Sequence, residues 1–331
     1  MTRERTLGRV LVLGGTRWLG RRIAQAHLAR GADVTCLARG EGGDASEGAR
    51  LVVGDRERAD AYAGLTGEWD EVVDVTRLPA HAAGALDALA DRARHWTFVS
   101  SVSAQRLEGA PVGAAEDDEL VPEDVSGEEY GGAKAWIERV ARERLGERLA
   151  IVRPGLIGGP GDESGRFGYW VARLALAGGD PVLVPARDQP TQTIDVRDLV
   201  DFLVEQAPTH SDIVNAVGAA GGLHDHIALA REIAGHTGEL ARASDEQLAA
   251  LGIEHWAGPR ALPLTLPAEL GPHAQRSSDR YRAAGGTHRP LRETLEAVLA
   301  DERALGLDRP APHRLSRADE LAAIDSLASL S

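Results

Sequence analysis

Tyr130 and Lys134 stand four residues apart in the segment Tyr130-Gly131-Gly132-Ala133-Lys134. On a helix that spacing sets both side chains on one face, one turn apart. An ammonium beside a phenol favours the ionised ring. A phenol tuned toward neutral pH can give a proton to a carbonyl oxygen or take one from an alcohol. The spacing alone also occurs in helices whose tyrosine caps a core and whose lysine is solvated. Its meaning depends on what the rest of the chain places beside it.

The N-terminal region supplies a partner for that chemistry. Val10-Leu11-Val12-Leu13 is an apolar run of strand length leading into Gly14-Gly15-Thr16-Arg17-Trp18-Leu19-Gly20. A helical pattern follows, with Ile23, Ala24, His27 and Leu28 on one side and Gly31 at its end. Strand, glycine-rich turn and helix form the context of a dinucleotide fingerprint. Gly14 allows the tight turn, Gly20 permits close helix–strand packing, and the helix N-terminus offers N–H groups to a pyrophosphate. Arg17 occupies the place of the usual middle glycine. A nicotinamide held there would supply the hydride half of the reaction. Two further strands run into polar or glycine-rich loops: Phe98-Val99-Ser100-Ser101-Val102-Ser103, and Arg153-Pro154-Gly155-Leu156-Ile157-Gly158-Gly159-Pro160-Gly161-Asp162.

These segments need a scaffold of alternating elements. Strands are expected at 9–13, 33–37, 50–53, 71–75, 96–100 and 149–152, with helices at 17–30, 80–93 and 128–145 among others. The alternation predicts an α/β fold with a Rossmann-type doubly wound parallel sheet. Residues 41–48 read as a loop, and the acidic stretch 108–127, with Pro111 and Pro122, as a surface loop. The expected division is a dinucleotide-binding core over 1–158, rejoined by 191–217. A smaller substrate lobe takes 159–190 and 218–305, and a tail takes 306–331. Leu321, Ile324, Leu327 and Ala328 make a helical stripe in that tail, suited to packing on the body or on a partner subunit.

Composition narrows the classes. A chain of 331 residues, 43% of them apolar, can bury a large core and form more than one lobe. No apolar run approaches the ~20 residues that span a bilayer. The charged start Met1-Thr2-Arg3-Glu4-Arg5 lacks a signal-peptide apolar region, so a cytoplasmic protein without a membrane is expected. One cysteine, Cys36, cannot form an internal disulfide and suits a reducing cytosol. No histidine or cysteine cluster has metal spacing, so no metal is expected. A net charge of −14 weighs against binding a phosphate backbone, and no nucleic acid is expected as a partner. High Ala, Arg and Gly with very little Lys points to a GC-rich bacterial genome.

Together and in this order, the segments resemble the extended short-chain dehydrogenase/reductase family, of the NAD-dependent epimerase/dehydratase type. The resemblance covers roughly residues 8–300 and includes Thr193-Ile194-Asp195-Val196-Arg197-Asp198-Leu199 and Ile213-Val214-Asn215-Ala216. The form Gly-Gly-Thr-Arg-aromatic-Leu-Gly is closest to the atypical reductases that include chloroplast stem-loop RNA-binding proteins. The resemblance implies that Tyr130 is the acid/base, and that Lys134 lowers its pKa while holding the ribose. Ser101 would hydrogen-bond the reacting oxygen, with Ser100 or Ser103 as alternatives in register. Cofactor contacts are implied for Gly14, Thr16, Arg17, Trp18, Leu19 and Gly20. Asp55 would meet the adenine, with Arg56 beside it. Thr76 would lie where the fourth strand passes the cofactor, Ser100 at the end of the fifth, and Pro154, Gly155 and Ile157 at the nicotinamide end.

Cofactor choice rests on Ala38-Arg39-Gly40 at the end of the second strand. NAD-binding chains normally place a carboxylate there for the ribose hydroxyl. Arg39 would instead pair with a 2′-phosphate, and Arg17 could reach the same group, so NADP is favoured over NAD. In nucleotide-sugar members of the family an Arg three residues before the isoleucine of the late strand grips the diphosphate. Thr191 stands there here, followed by Gln192. A hydroxyl cannot replace a fork of cationic donors. The expected substrate is therefore a small, neutral or weakly polar metabolite rather than a nucleotide sugar. It would meet Ser103 and Gln192 beside Phe167 and Trp170, with Arg166 or Arg187 as sources of charge. The expected activity is NAD(P)-dependent hydride transfer to or from a carbonyl or alcohol, by a monomer or homodimer. Two alternatives remain: an epimerase or dehydratase with tightly held NAD, and a non-catalytic RNA-binding or regulatory relative.

Overall fold

The computed structural model describes residues 8–327. The strands are β1 (Arg9–Leu13), β2 (Asp33–Ala38), β3 (Arg50–Val53), β4 (Trp69–Asp74), β5 (Ala93–Val99), β6 (Leu149–Pro154), β7 (Leu156–Gly158), β8 (Val182–Pro185), β9 (Pro190–Asp195), β10 (Ile213–Ala216), β11 (Ala220–Gly222), β12 (Leu240–Ala243), β13 (Glu254–His255) and β14 (Ala261–Leu262). The helices are α1 (Trp18–Ala29), α2 (Pro79–Leu89), α3 (Tyr130–Leu145), α4 (Tyr169–Ala177), α5 (Val196–Glu205), α6 (Leu223–Ala234), α7 (Asp245–Ala250), α8 (Asp279–Ala283), α9 (Leu291–Leu305) and α10 (Arg317–Leu327).

Seven strands form a parallel sheet in the order β10-β6-β5-β4-β1-β2-β3. Its strands read as nearly unbroken apolar runs because both faces are covered. In β1, Val10 and Val12 point to the face packed by Ile23 and Ala24 of α1 and by Leu199, Phe202 and Leu203 of α5. Leu11 and Leu13 point to the face packed by Leu86 and Leu89 of α2 and by Ile137 and Ala141 of α3. The period-two alternation thus fills two cores with one strand. The strand order reverses between β1 and β4, so a crevice opens there at the carboxyl ends, where ligands bind in such sheets.

A third core is built by α4, α6 and α9 with β8 and β12, around Phe167, Trp170, Leu174, Leu183, Ile227 and Leu299. Between the two bodies lies a small sheet, β11-β9-β7. The residues assigned by sequence to the dinucleotide core therefore divide: β7 and β9 join this small sheet, while β10 completes the large one. Within the stretch assigned to the substrate lobe, Tyr281 of α8 returns to the large sheet, its ring centroid 4.7 Å from that of Phe202.

Two expectations need correction. The stretch 108–127 is not a plain surface loop. Glu116 and the side chain of Asp118 are buried, and Asp118 pairs with Arg106 and Arg276 at 2.8 Å each. The acids there hold the loop down against residues distant in sequence. In the tail, α10 packs on the body through Glu320, Ala323 and Leu327, with Ile324 partly covered and Leu321 exposed. The apolar stripe read from sequence is rotated, because a buried carboxylate, Glu320, takes part of the inner face. Ala328 lies outside the described residues. No helix of the described residues is long and apolar enough to cross a membrane.

Candidate active site

The glycine-rich turn begins with Gly14 at φ +98°, a conformation that side chains rarely adopt. A Cβ on Gly20 would stand 2.2 Å from the carbonyl oxygen of Gly14, so only glycine lets α1 press this closely on the turn. The N-cap residue of α1, Arg17, makes no side-chain cap. Its first N–H groups, those of Trp18 and Leu19 among them, remain free for an anion. The side chains around them are already engaged. The Trp18 indole donates to Pro160 O at 2.9 Å, so Trp18 has only its backbone to offer a cofactor. Arg17 is exposed and lies 3.6 Å from Glu163. Thr16 is buried and its carbonyl accepts from Arg21.

Further along the crevice, Arg39 is exposed at the end of β2 and lies 3.4 Å from Glu41. Asp55 follows β3 and accepts from Glu57 N through one oxygen. Arg56 corrects a sequence expectation. Its guanidinium turns inward onto Asp74 in a two-pronged pair at 2.9 and 3.0 Å, and it donates again to His81 O. With both prongs used beneath the sheet edge, it is not free for the adenine. Ile157 pairs with Ile194 between β7 and β9 and packs against the core, while Pro154 ends β6 and Gly155 links it to β7.

The chemistry-bearing side chains converge beyond β4 and β5. Ser101 caps the short turn after β5, accepting from Ser103 N at 3.1 Å, and its side chain neighbours the Tyr130 phenol, pulling its pKa down. Ser100 is turned the other way, donating to Glu138 Oε1 at 2.6 Å. Ser101 is therefore the serine that meets the phenol. Tyr130 begins α3 and is 42% exposed. The segment carries two glycines for steric reasons. A Cβ on Gly131 would fall 2.2 Å from Ser103 O, and one on Gly132 would fall 2.6 Å from Pro122 O. Without them the loops bearing the serines could not close on the helix.

Lys134 is wholly buried, and its ammonium donates to Thr76 O and Val99 O at 2.6 Å each. Burial pushes it down to about 7, opposed by Asp74 and Glu138. It thus ties the ends of β4 and β5 together. Tyr130 departs from the expected tuning. Burial raises its pKa, and the groups that pull it down are Ser101, Arg166 and Arg77 rather than Lys134, whose Nζ stands 6.0 Å from the ring centroid. The phenol therefore keeps its proton at neutral pH in this arrangement.

Four residues expected at the substrate are engaged elsewhere in the fold. Trp170 is fully buried in the third core and donates to Pro263 O at 3.0 Å. Phe167 is fully buried too, against His226. Gln192 has every amide atom engaged: Nε2 with Gly218 O and Arg276 O, and Oε1 with Arg276 N. Arg187 is paired with Asp245 at 2.7 Å. Of the others, Arg166 acts on the phenol by charge, and Ser103 donates its N–H to Ser101. The structure adds groups the sequence reading passed over. Glu138, one turn beyond Lys134, receives Arg153 at 2.6 and 2.8 Å and braces the strand ends from below. Arg77 follows Thr76 and acts on Tyr130 by charge. Glu138 was legible as an i+4 neighbour on the same helix face; Arg77 carried no such signal.

No protein of curated function matches the chain by sequence. Solved structures do match it in fold. An epimerase candidate from Burkholderia cenocepacia aligns over 91% of this chain and 99% of its own, at 21% identity and TM-score 0.69. UDP-glucose 4-epimerase of Thermus thermophilus, solved with NAD, aligns over 90% and 100%, at 20% identity and TM-score 0.65. UDP-glucuronic acid 4-epimerase from Bacillus cereus, also with NAD, aligns over 90% and 99%, at 14% identity and TM-score 0.64. At these identities the likeness speaks for the fold. Family membership rests on sequence: the model of the NAD dependent epimerase/dehydratase family matches residues 10–216, from β1 through β10. A chain so matched, folded as a doubly wound sheet with its uncapped glycine turn and hydroxyl pair at the carboxyl ends, belongs to the NAD dependent epimerase/dehydratase family of enzymes.

Proposed function

We propose that the protein is an NAD(P)-dependent oxidoreductase acting on the carbonyl or alcohol of a small metabolite that is not a nucleotide sugar, with Tyr130 as acid/base. The observation that carries this reading is the Ser101–Tyr130 hydroxyl pair beside a buried lysine that joins the ends of β4 and β5. The free N–H groups of α1 and the close-packed turn fit a dinucleotide pyrophosphate. A bound nicotinamide supplies or accepts the hydride. Tyr130 then donates the proton to the carbonyl oxygen, or removes it from the alcohol in the reverse direction. Ser101 orients that oxygen and shares its developing charge. Lys134 holds the strand ends so that the hydroxyls stay in register.

NADP is the favoured form, because Arg39 is exposed where a carboxylate would otherwise stand, and its pair with Glu41 is a surface contact worth little. The diphosphate-gripping arginine of nucleotide-sugar members is absent at Thr191, and Gln192 is used internally. A second reading is an epimerase with tightly held NAD, favoured by the fold likeness to two NAD-bound 4-epimerases. The two separate on the purified protein. The first predicts release of cofactor, tighter binding of NADPH than NADH by calorimetry, and net consumption of NADPH with a substrate. Co-purified NAD that never exchanges, or micromolar binding of UDP-sugars, would favour the second.

A further inference from the structure

Arg166 is half-buried, and its guanidinium carbon stands 5.3 Å from the centre of the Trp256 ring. Its Nε is buried and meets no hydrogen-bond partner. Arginines set still deeper are matched: Arg56 with Asp74, Arg153 with Glu138, Arg173 with Glu320, Arg276 with Asp118 and Arg314 with Glu302. Arg166 has no such ion pair. Asp162 and the Tyr130 phenol act on it only through space. A desolvated cation left unmatched is costly unless something else completes it.

Trp256 is held in an unusual conformation. Its φ is +63°, and Ala257 N donates across it to His255 O at 2.6 Å, forming a strained three-residue turn. Such strain in a bulky residue persists where the surrounding structure imposes it, and it clusters at ligand sites. Here it lays an indole over the guanidinium. Arg77 also acts on the phenol by charge; it is exposed and forms no hydrogen bond or ion pair with a described residue. Two uncommitted cations therefore act on Tyr130, one of them half-buried beside an aromatic face.

We infer that the substrate carries an anionic group, a carboxylate or a phosphate, held by Arg166 close to the reacting carbon, with a flat or apolar part against Trp256. Arg77 completes the positive rim of the cleft. This deepens the oxidoreductase reading and rests on it. It also replaces the neutral substrate expected from Gln192. A planar guanidinium fork suits both oxyanions, and the charge of Arg166 already reaches the Tyr130 phenol.

Matched probes test this on the NADPH-saturated protein: benzoate against benzamide, and phenyl phosphate against phenol, titrated by calorimetry. Each pair keeps the flat body and removes the anion; benzoate and benzamide do so at nearly constant size. We expect one anion to bind at least ~10-fold more tightly than its neutral mate. That preference should vanish in Arg166→Met and return in part in Arg166→Lys. Which anion wins tells a carboxylate from a phosphate. Trp256→Leu should weaken the charged and neutral probes alike. Equal binding within each pair overturns the inference, as does an anion preference unchanged in Arg166→Met or no anion binding up to ~10 mM. Should Arg166→Met fail to fold, the parent's probe pairs and Arg166→Lys still decide. Failure to bind any nicotinamide cofactor overturns the oxidoreductase reading instead, and the probe pairs are then scored on the cofactor-free protein.

Discussion

Three side chains at the crevice invite direct tests. Tyr130→Phe removes the proton donor and keeps the ring. It should cost ~100-fold or more in turnover while cofactor affinity stays within about twofold. Full turnover in that variant would remove Tyr130 from the chemistry. Arg39→Asp should reverse a preference for NADPH, since a charge-assisted pair to a 2′-phosphate is worth about 1.5–3 kcal/mol, roughly 10- to 150-fold. Equal affinities for both cofactors in the parent would leave Arg39 a surface residue. Lys134 predicts a pH dependence of stability. Its folded pKa, near 7, lies below the unfolded value of 10.5, so the unfolded chain holds more protons between them and stability rises with pH across that window. The penalty for burying the charge is full below about pH 7 and relieved above it. The melting temperature of the parent relative to Lys134→Met should therefore climb from about pH 6 to about pH 9. A difference constant across that range would show that the buried lysine does not titrate there.

At the scale of elements, the same residue type has opposite roles in two helices. Gly84 in α2 has ordinary contact distances around a hypothetical Cβ, 3.4 Å from the Tyr62 ring at the nearest. Gly84→Ala should stabilise by ~0.5–1 kcal/mol through helix propensity. Gly131→Ala in α3 must push Ser103 O away from 2.2 Å. It should lose about 1–3 kcal/mol and shift the Ser101–Ser103 turn away from Tyr130, lowering turnover as well as the unfolding midpoint. If both variants gain stability in chemical denaturation, the tight approach of that turn to α3 is wrong. The pair explains why Tyr130 is followed by two glycines, a feature no helix propensity would select.

For the whole molecule, the third core depends on a charged anchor. Glu320 of α10 is fully buried, accepts from Leu183 N at 3.1 Å, and pairs with Arg173 at 3.3 Å and Arg317 at 2.5 Å. Glu320→Ala would leave Arg173 without an ion pair and Arg317 with only Asp180 at 3.8 Å, and should cost about 3–5 kcal/mol. Glu320→Gln keeps an acceptor for Leu183 and should cost less. Urea midpoints measure both, and an unchanged midpoint in the alanine variant would mean that α10 contributes nothing to the body.

The sequence by itself determined whatever depends on short spacing. The Val10–Leu13 run with Gly14 and Gly20, the strands ending at Ser101 and Pro154, and the Tyr130–Lys134 pair are local patterns, and they sufficed for the parallel sheet and for naming the candidate residues at its carboxyl ends. Tertiary structure alone decided which long-range partner each polar side chain found. Arg56 was drawn to Asp74, Gln192 to Arg276, and Lys134 to two strand-end carbonyls rather than to the phenol. Trp170 looked available for a ligand and filled a core instead. Arg166 and Trp256 lie ninety positions apart in sequence, yet the fold lays one over the other. Burial strips water from a polar group and obliges it to pair, and the choice of partner depends on distances that only the packed chain sets.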